Sequence, residues 1–423
     1  MLAGCLVGLV ALLLHNWLPL VSYREAGQNT LPYMFAVDSE QYLAMAQGRV
    51  SEVQSPFTKR FLYPWLVRMA AGNTRLPLGT AAMTLNFASW CLLACCLAAA
   101  LESFGGEPWL AVLFLATPFP LESLLLGYMP DLFVTALTAL FFLLLARRRE
   151  RWAMVVLLLA FLARESTLLL CVMGAGIGFL RRGKTMAYGS LAVLAGGVMA
   201  GAWFLRLGQP NIHHLPDFTY MVLKVPYNFL HNVFGIMIWS DVRADTGVPV
   251  VRWSLPHLLQ FGGADREIGL VFGKRPPTET FLHLFTIFGF APILLWHWRG
   301  KFAQVRQSPP AVQLAFAYGL VMYPLATALG AWTGRLIGYA WPLFWLAGPC
   351  VFKLPGLKAR PAEAAFLALC YLLVAWLPGC SGFWLASDNY PPLLLFIPVL
   401  YALALRSVAR TETLSCQDCS GGL

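Results

Sequence analysis

The sequence has 423 residues, of which 59% are hydrophobic and only 12% are charged. Soluble domains carry about 25% charged residues, so this composition excludes an ordinary soluble enzyme and indicates a membrane protein. The formal net charge of +10 comes from short basic clusters between apolar runs. That pattern is typical of membrane-orientation signals and does not indicate a nucleic-acid partner.

Apolar runs that can cross a hydrocarbon core of about 30 Å recur along the whole chain. The first run lacks a basic start and a small-residue cleavage signal, so we expect a retained helix. The predicted fold class is therefore all-α, a single polytopic domain over 1–423 with about twelve transmembrane helices. The predicted segments are 1–22, 79–101, 109–126, 131–146, 152–163, 166–180, 185–206, 279–298, 311–330, 336–352, 363–379 and 390–406.

Two of these segments, 152–163 and 166–180, are short and flank the sequence ARES. They could form two segments of a bent hairpin that does not fully cross, or one continuous helix. If they are counted as two segments, five basic clusters fall on the same side of the membrane. Short basic connections are expected on the cytoplasmic side. This agreement predicts both termini in the cytoplasm. The clusters lie at 147–151, 181–184, 299–306, 353–360 and 406–410.

The two longest connections, 23–78 and 207–278, then face outward. In the first, apolar residues follow a helical stripe from Phe57 to Met69, with Arg60 on the opposite face. This pattern predicts an amphipathic helix in the membrane surface, with its cations facing headgroups or an anionic ligand. In the second connection, we interpret the apolar piece 226–240 as interfacial.

A second, weaker helix is predicted at 41–47 of the first connection. Asp38 and Glu40 come just before it, where acidic residues favour the start of a helix. In one interpretation, these acids cap the start of the helix and the basic residues bind lipid headgroups. The other reading makes them parts of an active site.

Five motifs bear on this choice. In chain order they are DSEQYLAMA, PFTKRFLYPWLVRMA, GYMPDLFVTALTALFFLLL, LAFLARESTLLL and GRLIGYAWPLF, spread over residues 37 to 345. In their order and context they resemble the motifs of membrane-integrated GT-C glycosyltransferases. That superfamily includes GPI mannosyltransferases, protein O-mannosyltransferases, and bacterial aminoarabinose and arabinofuranose transferases.

The resemblance implies a GT-C-like helix bundle and an inverting transfer at the extracytoplasmic face. The donor would be a sugar on a polyprenyl phosphate, and the acceptor a glycan, a lipid or a protein. A carboxylate must take the acceptor proton, and cations must stabilise the departing lipid phosphate. By resemblance, Asp38 is the base with Glu40 as its partner, and Arg335 binds the phosphate, with Arg60 and Lys59 as further candidates.

Three further charged residues are candidates for supporting roles: Asp131, Arg164 and Glu165. Asp131 follows Pro130, so it could cap a helix or belong to the site. Arg164 could extend outward to the interface, and Glu165 could pair with a basic residue of the first connection. Adjacent residues do not face each other on a helix, so we expect Arg164 and Glu165 to have different partners.

Other classes stay open at this stage. Some GT-C enzymes use a divalent metal with a DxD-like pair, and the Asp-Ser-Glu at 38–40 leaves metal dependence undecided. A lipid-linked glycan flippase and a non-catalytic GT-C-like subunit are the alternatives to an enzyme. We expect residence in a membrane, with the bacterial inner membrane favoured by the short connections.

Overall fold

The structure is a computed structural model of the chain. It describes residues 4–10, 33–125, 127–209, 299–329 and 333–352, with short helical and strand pieces between 225 and 295. The predicted segments 363–379 and 390–406 lie outside the described residues, as do most of 1–22 and 279–298.

The first long connection is folded into two helices. Helix α1 spans Tyr33–Ala46, and helix α2 spans Leu62–Thr74, with 3₁₀ turns between them. Because α1 begins at Tyr33, Asp38 and Glu40 lie inside this helix. The prediction that they cap its start is therefore wrong.

Helix α2 covers the second part of the predicted stripe. It begins at Leu62, and its buried residues include Tyr63 and Val67. Trp65 and Met69, which belong to the predicted apolar stripe, are 49% and 42% exposed, so both stay accessible to a membrane surface. On its other side, α2 packs on the next helix, where the buried Tyr63 hydroxyl donates a hydrogen bond of 2.7 Å to Asn86.

The remaining helices form the body of the protein. They are α3 (Leu78–Ser103), α4 (Leu110–Ala116), α5 (Pro118–Leu125), α6 (Asp131–Ala146), α7 (Glu150–Ala163), α8 (Leu168–Leu180), α9 (Lys184–Leu205), α10 (Pro310–Leu329), α11 (Thr333–Ile337) and α12 (Gly348–Phe352). The predicted helical character is confirmed over these residues.

Three of these helices, α3, α9 and α10, are long and apolar enough to cross a membrane. Helices α6 and α8 are apolar but shorter. These lengths and compositions support a membrane protein.

Two predicted segments are broken. The segment 109–126 divides into α4 and α5, because Thr117 is extended and Pro118 has no backbone N–H to continue the helix. The segment 336–352 contains the end of α11, a 3₁₀ turn over Gly338–Ala340, a π-type turn over Leu343–Ala347 and the short helix α12. The turn over Leu343–Ala347 directly follows Pro342.

The ARES sequence separates two helices. Arg164 has extended backbone angles of −163° and 132°, which end α7, and a 3₁₀ turn over Glu165–Thr167 leads into α8. The continuous-helix alternative for this region is therefore excluded.

The second long connection contains a small antiparallel sheet that was not expected. Strands β1 (Met237–Trp239), β2 (Val250–Ser254) and β3 (Glu267–Val271) pair in the order β1-β3-β2. The predicted interfacial piece 226–240 is partly helical and ends in β1.

The core of the body is aromatic and closely packed. The Phe114 ring stacks on Trp341 with their centroids 5.3 Å apart, and both side chains are buried. Helix α10 also packs closely against the residues on either side of Trp341. A Cβ at Gly319 would lie 2.3 Å from the Cβ of Leu343 and 2.8 Å from the carbonyl oxygen of Ala340.

The Gly319→Ala substitution is expected to lower the free energy of unfolding by about 1–3 kcal/mol, because the added methyl group overfills this contact. Thermal unfolding in detergent measures the change. The matched control is Gly196→Ala in α9, where a Cβ meets no atom within 4 Å among the described residues. Helix propensity makes that change neutral or stabilising, so equal losses in both variants would refute the close packing.

Candidate active site

Charged side chains from five chain segments meet at one end of the helical body. Asp131 begins α6 and Arg164 directly follows α7, so both lie at the same end of this antiparallel pair. The basic turns at 147–149 and 181–182 lie at the opposite ends of α6, α7 and α8. We call the six residues at the first end the ionic cluster: Asp38, Arg60, Asp131, Arg164, Glu165 and Arg335.

Asp38 and Arg335 lie side by side. Nη2 of Arg335 donates a hydrogen bond of 3.0 Å to Oδ2 of Asp38, across 297 residues of sequence. The Arg335 side chain is 6% exposed and that of Asp38 is 22% exposed. The cation is therefore buried, and the carboxylate lies at the edge of the cluster.

Asp131 is the buried centre of the cluster. Its Oδ1 accepts hydrogen bonds from Nη1 of Arg164 at 2.5 Å and from the Tyr339 hydroxyl at 2.7 Å. Nε of Arg335 lies 3.5 Å from the same oxygen. The Asp131 side chain thus points into the cluster and makes no cap hydrogen bond to α6.

The other oxygen of Asp131, Oδ2, is buried and has no hydrogen-bond partner among the residues that the structure describes.

One interpretation of the sequence was that Arg164 extends outward to the interface. The structure shows that it does not. Its side chain is only 3% exposed, and its guanidinium lies 5.1 Å from the centroid of the Tyr339 ring. The Asp131 carboxylate explains this position, because a buried guanidinium requires a compensating negative charge.

Arg60 and Glu165 form the second ion pair of the cluster. Both Nε and Nη2 of Arg60 donate to the Glu165 carboxylate, the first over 2.7 Å, and Nη1 donates to the Tyr42 hydroxyl over 2.8 Å. Glu165 thus pairs with a basic residue of the first connection, as one reading expected. Arg60 does not face headgroups, since its guanidinium points inward to this carboxylate.

The pKa of Glu165 reflects this pairing. Burial alone would raise the pKa, but the charge and hydrogen bonds of Arg60 lower it to about 2. For Arg60, burial lowers the pKa and Glu165 raises it, and the result lies well above the ordinary value. Both groups therefore stay ionised at neutral pH.

The structure does not bring Glu40 or Lys59 into the cluster. Glu40 is exposed on α1, and Lys59 is half-buried with its aliphatic stem over Gly201 of α9. Glu40 is two residues from Asp38, so the two carboxylates point to different sides of the helix.

The sequence left metal dependence open at Asp38 and Glu40, and the structure places the two carboxylates in different surroundings. Asp38 is bound to Arg335, and Glu40 points elsewhere. Over the described part of the chain, no group of three or more His, Cys, Asp or Glu residues is arranged to hold a metal ion.

The first connection is attached firmly to the body. The backbone N–H of Ser55 donates to the carbonyl of Gln209 over 2.9 Å, and the N–H of Gln209 donates to the carbonyl of Val53 over 2.8 Å. The Ser39 hydroxyl donates to the carbonyl of Gly127 over 3.2 Å. The last of these contacts holds α1, and with it Asp38, against the entry to α6.

The turn that precedes Asp131 is strained. Tyr128 is buried and has a φ of 63°, a left-handed conformation that a bulky residue rarely adopts. Such a conformation costs about 1–3 kcal/mol and persists where the surroundings fix it. The strain lies three residues from the centre of the cluster.

Two tyrosines of the cluster were not selected from the sequence. Tyr42 binds Arg60, and Tyr339 binds Asp131. A local signal for both exists, because Tyr42 follows Asp38 by four residues and Tyr339 follows Arg335 by four. Helical spacing of four places each pair on one face.

Comparison with protein-family models, with curated proteins and with solved structures gives no match for this chain.

The Asp131→Ala substitution is expected to destabilise the fold by about 3–5 kcal/mol, because it leaves Arg164 buried without its carboxylate. Thermal unfolding in detergent is the measurement. The control is Glu52→Ala, which breaks an exposed pair with Arg49 and should cost no more than about 1 kcal/mol. If Asp131→Ala unfolded at the same temperature as wild type, this result would contradict the central role of Asp131.

Stability should also depend on pH through Glu165. Its pKa is lowered in the folded state, so its contribution is complete above the ordinary value of 4.5 and is lost as the pH falls toward about 2. Unfolding midpoints measured across this interval for wild type and Glu165→Gln test the effect. The difference between the two proteins should shrink as the pH falls, and a constant difference would argue against the Arg60 pairing.

Proposed function

We propose that this protein is a GT-C type glycosyltransferase that moves a sugar from a polyprenyl phosphate to an acceptor at the extracytoplasmic membrane face. The observation that carries the proposal is the contact of Asp38 with Arg335 at 3.0 Å. The transfer requires, within one site, a carboxylate base for the acceptor and a cation for the leaving phosphate, and this pair supplies both groups.

In the proposed reaction, an acceptor hydroxyl attacks the anomeric carbon of the donor sugar. Asp38 takes the hydroxyl proton as the new bond between this carbon and the acceptor oxygen forms. The bond from the anomeric carbon to the phosphate oxygen breaks, and its electron pair stays on the phosphate. Arg335 stabilises the charge that develops there.

The exposures of the two side chains suit these roles. Asp38 lies at the edge of the cluster, where an acceptor from outside can reach it. Arg335 lies deeper, where a low dielectric strengthens its interaction with phosphate. Asp131 and Tyr339 hold the surroundings of Arg335 in place as supporting residues, and Arg164 adds a second buried cation.

The membrane arrangement supports the same reading. The basic turns at 147–149 and 181–182 lie at the ends of α6, α7 and α8 that are remote from the cluster. If these turns are cytoplasmic, as the positive-inside rule expects, the cluster faces outward. We extend the proposal to a bundle of about twelve spans with both termini cytoplasmic, in a bacterial inner membrane.

A lipid-linked glycan flippase is the alternative from another class. Transporters hold their substrate near the bilayer midplane between repeats. Here the buried charges gather at one end of α6 and α7, which favours surface chemistry. A non-catalytic subunit would have no need of the Asp38 carboxylate beside Arg335.

The test supplies the protein in nanodiscs with a panel of radiolabelled polyprenyl-phosphate sugars and membrane extract as acceptor. The Asp38→Asn substitution should reduce transfer by a factor of about 100 or more, because the base is removed. Glu52→Gln, which removes an exposed carboxylate of the same connection, should transfer like wild type.

Each outcome has a distinct reading. Equal transfer by wild type and Asp38→Asn would remove Asp38 as the base and move attention to Asp131 and Glu40. Binding of a donor by the wild type without transfer to any acceptor would favour the flippase or the non-catalytic subunit.

A further inference from the structure

Asp38 is the most weakly held carboxylate of the ionic cluster. It binds Arg335 through one hydrogen bond, and its side chain is 22% exposed. Asp131 is fully buried. Glu165 is 32% exposed, but it receives two hydrogen bonds from Arg60. A pair held by a single hydrogen bond at the edge of the cluster costs less to separate than a two-bond pair or a fully buried pair. Asp38 is therefore the acid that leaves the cluster at the lowest cost.

Arg335 cannot leave in the same way. Its side chain is 6% exposed, and its Nε lies 3.5 Å from Asp131. If Asp38 moves away, the cluster keeps three guanidinium groups and only two carboxylates. A buried excess charge is unfavourable, so another anion has to take the place of Asp38.

We propose that the Asp38 carboxylate and the phosphate of a prenyl-linked sugar bind Arg335 alternately, so that arrival of the phosphate releases the base. The identity of this anion rests on the proposed function. A guanidinium binds phosphate and carboxylate through the same paired hydrogen bonds, so one site serves both groups. The phosphodiester of the donor carries one negative charge, as does the carboxylate that it replaces.

The charge balance also holds through the transfer step. The broken sugar–phosphate bond leaves a phosphate monoester, which gains a second negative charge near neutral pH. The acceptor proton moves to Asp38 and neutralises it, so the sum of the two groups is unchanged. Neutral Asp38 no longer competes for Arg335. Asp38 then loses this proton to water and returns to Arg335. Its return releases the product.

The experiment measures binding in the absence of transfer. Farnesyl phosphate, a prenyl monophosphate, is titrated into nanodisc-embedded protein by calorimetry. Asp38→Asn should bind it roughly threefold to tenfold tighter than wild type, because the competing carboxylate is gone. Arg335→Gln should bind it at least tenfold more weakly. Glu52→Gln, with an exposed carboxylate of the same connection removed, should bind it like wild type.

Three results would overturn the exchange. These are unchanged or weaker binding by Asp38→Asn, equal tightening by Glu52→Gln, and no binding by the wild type. If Asp38→Asn does not give a monodisperse protein, Asp38→Ser removes the same charge with a smaller side chain.

This measurement separates the exchange from the proposed function. Tighter binding by Asp38→Asn supports the exchange even if no sugar is transferred. Transfer by wild type with unchanged affinity in Asp38→Asn retains the glycosyltransferase and rejects the exchange.

Discussion

The Asp131 carboxylate holds the charged end of this protein together. It is fully buried, and it compensates guanidinium groups that an apolar bundle could not otherwise accommodate. Its partners come from two other parts of the chain: Arg164 lies between α7 and α8, and Arg335 in α11 is followed four residues later by Tyr339. The relative positions of α6, α7 and α11 at this end depend on one oxygen atom.

The first connection owes its position to the same principle. Arg60 carries a charge into the protein because Glu165 neutralises it there, and this pairing turns the start of α2 inward. Hydrogen bonds from the backbone of Ser55 and Gln209 and from the Ser39 hydroxyl complete the attachment. The connection is thus part of the scaffold, and it presents Asp38 to Arg335 from a helix rather than from a loose loop.

The sequence predicted the long helices well, because an apolar run bounded by charges or proline is a local signal. Helices α3, α9 and α10 begin and end within two residues of their predicted limits. At Pro118 the prediction failed, because Thr117 is extended and the missing N–H of the proline ends the helix, whereas Pro324 lies inside α10 without breaking it. The charge partners were not predictable locally. Asp38 and Arg335 are 297 residues apart, and no periodicity encodes their contact.

The ionic cluster contains three guanidinium groups and three carboxylates, so it is electrically neutral as a whole. A neutral site exerts little attraction over distances longer than the Debye length, which is about 8 Å at physiological ionic strength. Such a site would not draw in an anionic ligand by a long-range field, as an open basic groove would. If the proposed lipid donor binds here, it would reach the site by lateral diffusion, with an affinity that depends only weakly on salt.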